Sequence, residues 1–278
     1  MKPLKIGFSP CPNDTHIFYA LANGAIDTEP YHFEVMLADV EVLNLQARQG
    51  NLDVCKVSIN ALTRLLDRYW LLGAGGAIGR GCGPLVVSSL PLSPGELRHK
   101  RVAIPGKMTT ANFLLRLTKL HEGETVEMVF DQIMPAVASG SVDAGVIIHE
   151  GRFTYSNHGL QLVLDLGAWW ETTTGLPLPL GGIVIRRDLG RQVASFVESK
   201  IRESLLYSRA HPEIAWPYIA SHAQEMAPSV IRSHIDTFVN DYSLKVGSDG
   251  AEAIHYLLQA ASRLDPPSPF HETLFWND

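Results

Sequence analysis

Through the first 150 residues, short apolar runs alternate with segments of helical spacing, and few architectures accept that order. LKIGFS (4–9), YHFEVMLAD (31–39) and LDVCKVS (52–58) have the length and composition of strands. HIFYALANG (16–24), VEVLNLQARQG (40–50) and INALTRLLDRY (59–69) have helical spacing, and Gly24 and Gly50 supply stop signals for the first two. Further strands are expected at 84–89, 99–106, 125–130, 142–150, 160–167 and 182–187. Helices are expected at 109–123 and 131–140, the latter with a first-turn proline. Residues 169–182, rich in Thr, Pro and Gly, read as a loop. From Asp188 the texture turns helical, with Val193, Phe196, Val197, Ile201 and Leu205 on one face. More helices are expected near 211–223, 228–240 and 248–263, then an irregular tail. The order predicts an α/β fold with a largely parallel sheet.

Composition narrows the function classes. Hydrophobic residues make up 46% and charged residues 19%, which supports a sizeable core and is unlike a disordered chain. The net charge of −6 comes without a basic stripe, so no nucleic-acid surface is expected. Three cysteines, Cys11, Cys55 and Cys82, form no C-x-x-C pair, which fits a reducing compartment. The apolar run after Lys5 is too short for a signal peptide. No stretch approaches the ~18 apolar residues of a membrane helix. The expectation is a soluble cytoplasmic protein with no membrane partner.

Two short units resemble each other. Gly50-x-x-Asp53 closes a helix and opens a strand ending at Ser58; Gly140-x-x-Asp143 does the same before His149. Each unit presents a polar residue at the C-terminal end of a strand, where open α/β sheets bind ligands. The repeat predicts two lobes with a cleft between them.

Several motifs join strands to helices. Asn13, Asp14 and Thr15 follow a Pro-Cys-Pro turn; they are either caps for the first helix or ligand contacts. PGKMTTAN (105–112) either caps its helix through Thr109 or Thr110 or binds an anion there. It lacks the first glycine and the Ser or Thr after Lys that a P-loop needs. GAGGAIGRGCG (73–83) fails the dinucleotide fingerprint at Ile78 and reads as a crossover between lobes. His149 directly follows an apolar strand, either as a structural residue or as a general base. Glu150 adjoins it but would point to the opposite face of a strand. TTTGLPLPLGG (172–182) is either a linker or an apolar wall for a ring-shaped ligand. The 11 histidines are dispersed without metal-ligand spacing, so no metal site is expected.

SPCPNDTHIF, DVCKVSINAL, IPGKMTTANFLL, SGSVDAGVIIHEGRFTY and GLPLPLGG occur in that order. As a set they resemble the 1,4-dihydroxy-6-naphthoate synthase family, the cyclic dehypoxanthinyl futalosine lyases of the futalosine route to menaquinone. The resemblance implies a two-lobed fold like the type II periplasmic binding proteins, with the ligand cleft between lobes. Lobe one would hold residues 1–88 and 187–278, and lobe two residues 89–186. It implies carbon–carbon cleavage releasing dihydroxynaphthoate and dihydroxyacetone, with no metal or redox cofactor. The catalytic histidine falls on His149. The pocket carries over to Asn13, Asp14, Thr15, Ser58, Thr109, Thr110, Gly181 and Gly182, which would hold a small-molecule carboxylate substrate. Ser58 and Thr110 hydroxyls would bind that carboxylate. His16 stands where many relatives are expected to carry a bulky apolar residue. Two alternatives use the same cleft: a non-catalytic binder of a small anion, or a chorismate dehydratase-like enzyme of the same fold. Oligomeric state is not legible.

Overall fold

The computed structural model describes residues 1–224, 227–264 and 273–278. The expected irregular tail therefore falls, over residues 265–272, outside the described residues. The strands are β1 (Lys2–Phe8), β2 (Tyr31–Leu37), β3 (Val54–Ser58), β4 (Tyr69–Leu71), β5 (Ala77–Gly79), β6 (Leu85–Ser88), β7 (Val102–Ile104), β8 (Thr125–Glu127), β9 (Ala144–Ile147), β10 (Gln161–Asp165) and β11 (Leu178–Arg186). The helices are α1 (Pro12–Ala22), α2 (Val40–Gln49), α3 (Thr110–Thr118), α4 (Phe130–Ala138), α5 (Gly151–Thr154), α6 (Leu166–Thr174), α7 (Arg191–Ala210), α8 (Pro212–His222), α9 (Pro228–Phe238), α10 (Asp241–Leu244) and α11 (Gly247–Leu264).

Two sheets form. The first has the order β2-β1-β3-β11-β4, with β5 also paired to β11; the second has the order β10-β6-β9-β7-β8. Pairing is parallel for β1 with β2 and β3 and for β7 with β8 and β9. It is antiparallel wherever β11, β6 or β10 pairs. The sheets are thus mixed, because both connections between them return strands in the opposite sense. Strand membership departs from the expected lobe boundaries. β6 pairs with β9 and so belongs to the second sheet, while β11 pairs with β3 and belongs to the first.

Tertiary pairing also changed several elements. The helix expected over 59–69 is a 3-10 helix, Ile59–Arg64, because residues 69–71 are drawn into β4 against β11. Residues 169–182 are not a loop. Asp165 caps α6 by accepting from Ala168 N at 2.9 Å, Gly175 ends it at φ 73°, and β11 starts at Leu178. Part of the glycine-rich stretch pairs as β5 rather than serving only as a crossover. Pro135 lies in the interior of α4, not its first turn, and so removes one ladder hydrogen bond there.

The core of the first sheet joins Leu4, Ile6 and Phe8 of β1 to Phe18 of α1 and to Val197, Ile201 and Leu205 of α7. On α7 the buried stripe is Ala194, Val197, Ile201 and Leu205, whereas Val193 and Phe196 sit at its margin. The second sheet packs Leu85, Val87 and Ala103 on Ile133 and Val137 of α4. The strand ends from both sheets meet at one cavity.

Candidate active site

The first wall of the cavity is the β1–α1 junction. Pro12 occupies the first turn of α1 and Cys11 is the N-cap, without a side-chain cap bond. Proline's fixed φ suits that position, so Asn13, Asp14 and Thr15 lie inside the helix rather than in a loop before it. Asp14 bends back over the turn. Its Oδ2 accepts from Ser9 N at 3.1 Å and Ser9 Oγ at 2.8 Å; its Oδ1 accepts from Asn13 Nδ2 at 2.8 Å and Lys56 Nζ at 2.6 Å. Four donors use the acceptor capacity of a carboxylate. Asp14 therefore orients its neighbours and has no lone pair left to serve as a base.

β3 and β11 form the floor. Lys56 and Ser58 share one face of β3, two residues apart. Lys56 Nζ also donates to Gly75 O at 3.2 Å. Ser58 is clamped by Asn44, whose Oδ1 accepts from Ser58 N at 2.9 Å and whose Nδ2 donates to Ser58 Oγ at 3.3 Å. Gly181 pairs with Ser58, and a Cβ there would stand 3.0 Å from Lys56 Cε. The absent side chain leaves room for the lysine.

The third wall is the N-terminus of α3. Thr109 caps it, accepting from Asn112 N at 3.2 Å and donating to Gly106 O at 2.7 Å. Thr110 Oγ1 donates to Leu180 O at 2.9 Å, so the hydrogen of its hydroxyl is committed to protein. Helix geometry leaves the Thr110 and Ala111 amides without intrahelical partners. A protein carboxylate already faces this turn: Glu41 Oε1 accepts from Met108 N at 2.9 Å and Oε2 from Asn44 Nδ2 at 2.9 Å.

The fourth wall follows β9. The strand ends at Ile147 and His149 sits in a turn at φ 55°, a conformation uncommon for a residue with a Cβ and frequent at functional sites. Its ring meets Phe130 edge-on at 4.8 Å. Its Nε2 is buried and makes no hydrogen bond among the described residues. Burial lowers the His149 pKa to about 4; the Lys56 ammonium lowers it further and Asp14 opposes. The imidazole is neutral at pH 7 with a lone pair to use. Because the strand has ended, Glu150 does not point away from His149 as strand alternation predicted. Cys11, His149 and Glu150 each bring one donor atom within 4.8 Å of the others, a set that could hold a metal ion. Burial holds the Cys11 thiol pKa well up, so a metal would have to displace its proton.

The cavity is thus lined by Asn13, Asp14, Ser58, Thr109, Thr110, His149 and Gly181 of the expected residues. Thr15 and Gly182 are not brought there. Thr15 Oγ1 donates to Cys11 O at 3.0 Å within α1, and a Cβ on Gly182 would meet Leu71 Cδ1 at 2.7 Å on the core side. Leu180 from the Pro-Leu segment does line the cavity. Two titratable lining residues, Lys56 and His234, escaped sequence reasoning. Lys56 carried a signal, a cation inside an otherwise apolar strand. His234 of α9, 1% exposed between Ile231 and Phe238 on the buried face, carried little.

The family model for menaquinone biosynthesis matches residues 4–263. A protein from Thermus thermophilus named 1,4-dihydroxy-6-naphtoate synthase is 50% identical over 272 residues, covering 97% of this chain and 98% of the relative. One of the same name from Streptomyces coelicolor is 46% identical, covering 93% of each. The crystal structure of protein AF1704 from Archaeoglobus fulgidus superposes with a TM-score of 0.89 at 36% identity, covering 94% of this chain and 97% of that one. The periplasmic aliphatic sulphonate binding protein of Escherichia coli matches with a TM-score of 0.68 at 14% identity, covering 100% and 98%. That likeness shows the fold alone: α/β, two-lobed and periplasmic-binding-protein-like.

Proposed function

This chain belongs to the menaquinone-biosynthesis family, and on that premise we propose that its cavity cleaves cyclic dehypoxanthinyl futalosine to 1,4-dihydroxy-6-naphthoate and dihydroxyacetone, with His149 as the base. The chain is an enzyme of menaquinone biosynthesis, a carbon–carbon lyase that makes the naphthoate. The binder and dehydratase readings have no such support. The observation that carries the base assignment is His149 itself: neutral, strained at φ 55° and with a buried Nε2 that has no hydrogen-bond partner among the described residues.

The residues divide the work. Neutral His149 takes a proton from the sugar-derived part of the substrate, and elimination then aromatises the second ring. General-base catalysis of this kind contributes ~10²–10⁴ in rate. The substrate carboxylate rests against the donor end of the cavity, on the first-turn amides of α3 and the Ser58 hydroxyl. Thr110 contributes its amide there, since its hydroxyl donates to Leu180 O. Closure of the lobes excludes water from reactive intermediates. We assign the described residues of 1–84 and 178–278 to one lobe and residues 85–177 to the other, following the strand pairing. No described helix is long and apolar enough to cross a membrane. A cytoplasmic location is supported by the biosynthetic relatives.

The test is direct. Purified protein, with chelator present, is incubated with cyclic dehypoxanthinyl futalosine, and the naphthoate is followed by chromatography and mass. Wild type is expected to form it and His149→Ala to lose nearly all turnover. Full turnover in the variant would reject the base; no turnover in the wild type would reject the reaction.

A further inference from the structure

The amide of Asn13 fixes the tautomer of His234. Asn13 Nδ2 faces the Asp14 carboxylate at 2.8 Å, so its Oδ1 is the atom that meets His234 Nε2 at 2.8 Å. A carbonyl oxygen only accepts. Nε2 therefore carries a hydrogen, and in the neutral ring Nδ1 is a bare acceptor. That Nδ1 is buried, with no hydrogen-bond partner among the described residues. Glu150 Oε2 stands 4.0 Å away, beyond hydrogen-bond reach.

His234 lines the same cavity as His149, and the two rings lie 6.2 Å apart at 27°. Phe238 flanks the His234 ring at 4.7 Å and holds it in place. The two histidines on this side of the cavity each hold a buried acceptor without a hydrogen-bond partner among the described residues, His149 Nε2 and His234 Nδ1. The opposite end, at α3 and Ser58, offers donors. A carboxylate is repelled by bare nitrogen lone pairs, whereas a hydroxyl satisfies them.

We propose that His234 Nδ1 accepts a hydrogen bond from a hydroxyl of the sugar-derived fragment and so holds that fragment beside His149. The inference rests on the lyase reading of the site. It orients the substrate: aromatic carboxylate toward α3, hydroxylated fragment between the two histidines. A buried acceptor left unpaired disfavours ligands that lack the hydroxyl.

His234→Phe keeps a ring of like shape beside Phe238 and removes the Nδ1 acceptor together with the Nε2–H that Asn13 accepts, whereas glutamine would bring an acceptor oxygen of its own. Nitrogen NMR of histidine-labelled wild type is expected to show His234 protonated at Nε2 alone. In His234→Phe, the KM for the futalosine substrate is expected to rise about tenfold. Affinity for the naphthoate product, which lacks the sugar-derived fragment, should stay within about twofold. Unchanged KM, an equal loss of product affinity, or a proton on Nδ1 would overturn the proposal. If wild type turns nothing over, the reaction is wrong. Calorimetric binding of the intact substrate to wild type and His234→Phe then decides His234: equal affinity rejects it, a tenfold gap keeps it.

Discussion

Lys56 Nζ lies 2.6 Å from Asp14 Oδ1, and the two side chains are only 6% and 2% exposed. The pair joins β3 to α1 at the cavity wall. Through Asn13 it also sets which nitrogen of His234 carries the hydrogen. A buried pair of this kind brings little net stability over an apolar pair, but removing one partner strands the other charge. Lys56→Met should therefore destabilise the fold by about 3–5 kcal/mol. Adding Asp14→Asn should restore part of that loss. Urea denaturation of the two single variants and the double variant measures the coupling; additive losses would mean the pair does not act as one unit.

The depressed His149 pKa sets the acid limb of catalysis. The base works as the neutral ring, so kcat/KM should fall only as pH drops through about 4 and stay flat through neutrality. The Lys56 ammonium is one cause of the lowering. Lys56→Met should move the acid limb upward, toward the ordinary histidine range. A pH–rate profile with a limb near 6.5 in the wild type would place the titrating group elsewhere.

Glu41 ties α2 to the turn before α3, and Gly106 makes the contact possible. At Gly106 φ is 148°, and a Cβ would stand 2.5 Å from the Glu41 carboxyl carbon. Gly106→Ala should push Glu41 off Met108 N and leave a buried amide unsatisfied, a loss of about 1–3 kcal/mol before backbone strain. Glu41→Gln keeps an acceptor for Met108 N but turns its NH2 toward Asn44 Nδ2, which donates to Oε2 in the wild type. It should melt below wild type but above Gly106→Ala. Thermal melts of both variants check this; equal damage from both would mean the charge, not the bond, matters.

The strand–helix alternation was legible because each apolar run is short and ends in turn residues. Most helices fell where periodicity put them, as α2 between Asp39 and Gly50 shows. The failures have a common cause. Tyr69 closes the helical pattern expected over 59–69 and also opens a strand, and only β11 across the sheet decides between them. Likewise the Thr-rich segment has low helix propensity, yet Asp165 and Gly175 supply both ends of a helix. Within the site, residues at strand ends and helix starts were visible from local chemistry. Lys56 and His234 depend on contacts 42 and 221 residues away, and no local pattern carries those.

Three histidines disfavoured as cations by desolvation should make the fold acid-sensitive from about pH 6.5 downward. Burial lowers the pKa of His16 and His149 to about 4 each and holds that of His234 well below its ordinary value. As pH falls below about 6.5, the unfolded chain takes up these protons while the folded chain refuses them. Stability is therefore complete above about 6.5 and lost progressively toward 4, by about 1.4 kcal/mol per pH unit for each histidine. Asp39 and Glu41, whose carboxyls are raised by burial, act in the opposite sense near the bottom of this window. His16 separates the effect from catalysis. It is 7% exposed on α1, does not line the cavity, and its imidazole is disfavoured as a cation by burial and by Arg209. His16→Leu should keep turnover and make the pH dependence shallower by one histidine's share. Denaturation curves at pH 7, 6 and 5 read that slope. An unchanged slope would mean that His16 meets water in the folded state and that the other two rings carry the whole effect.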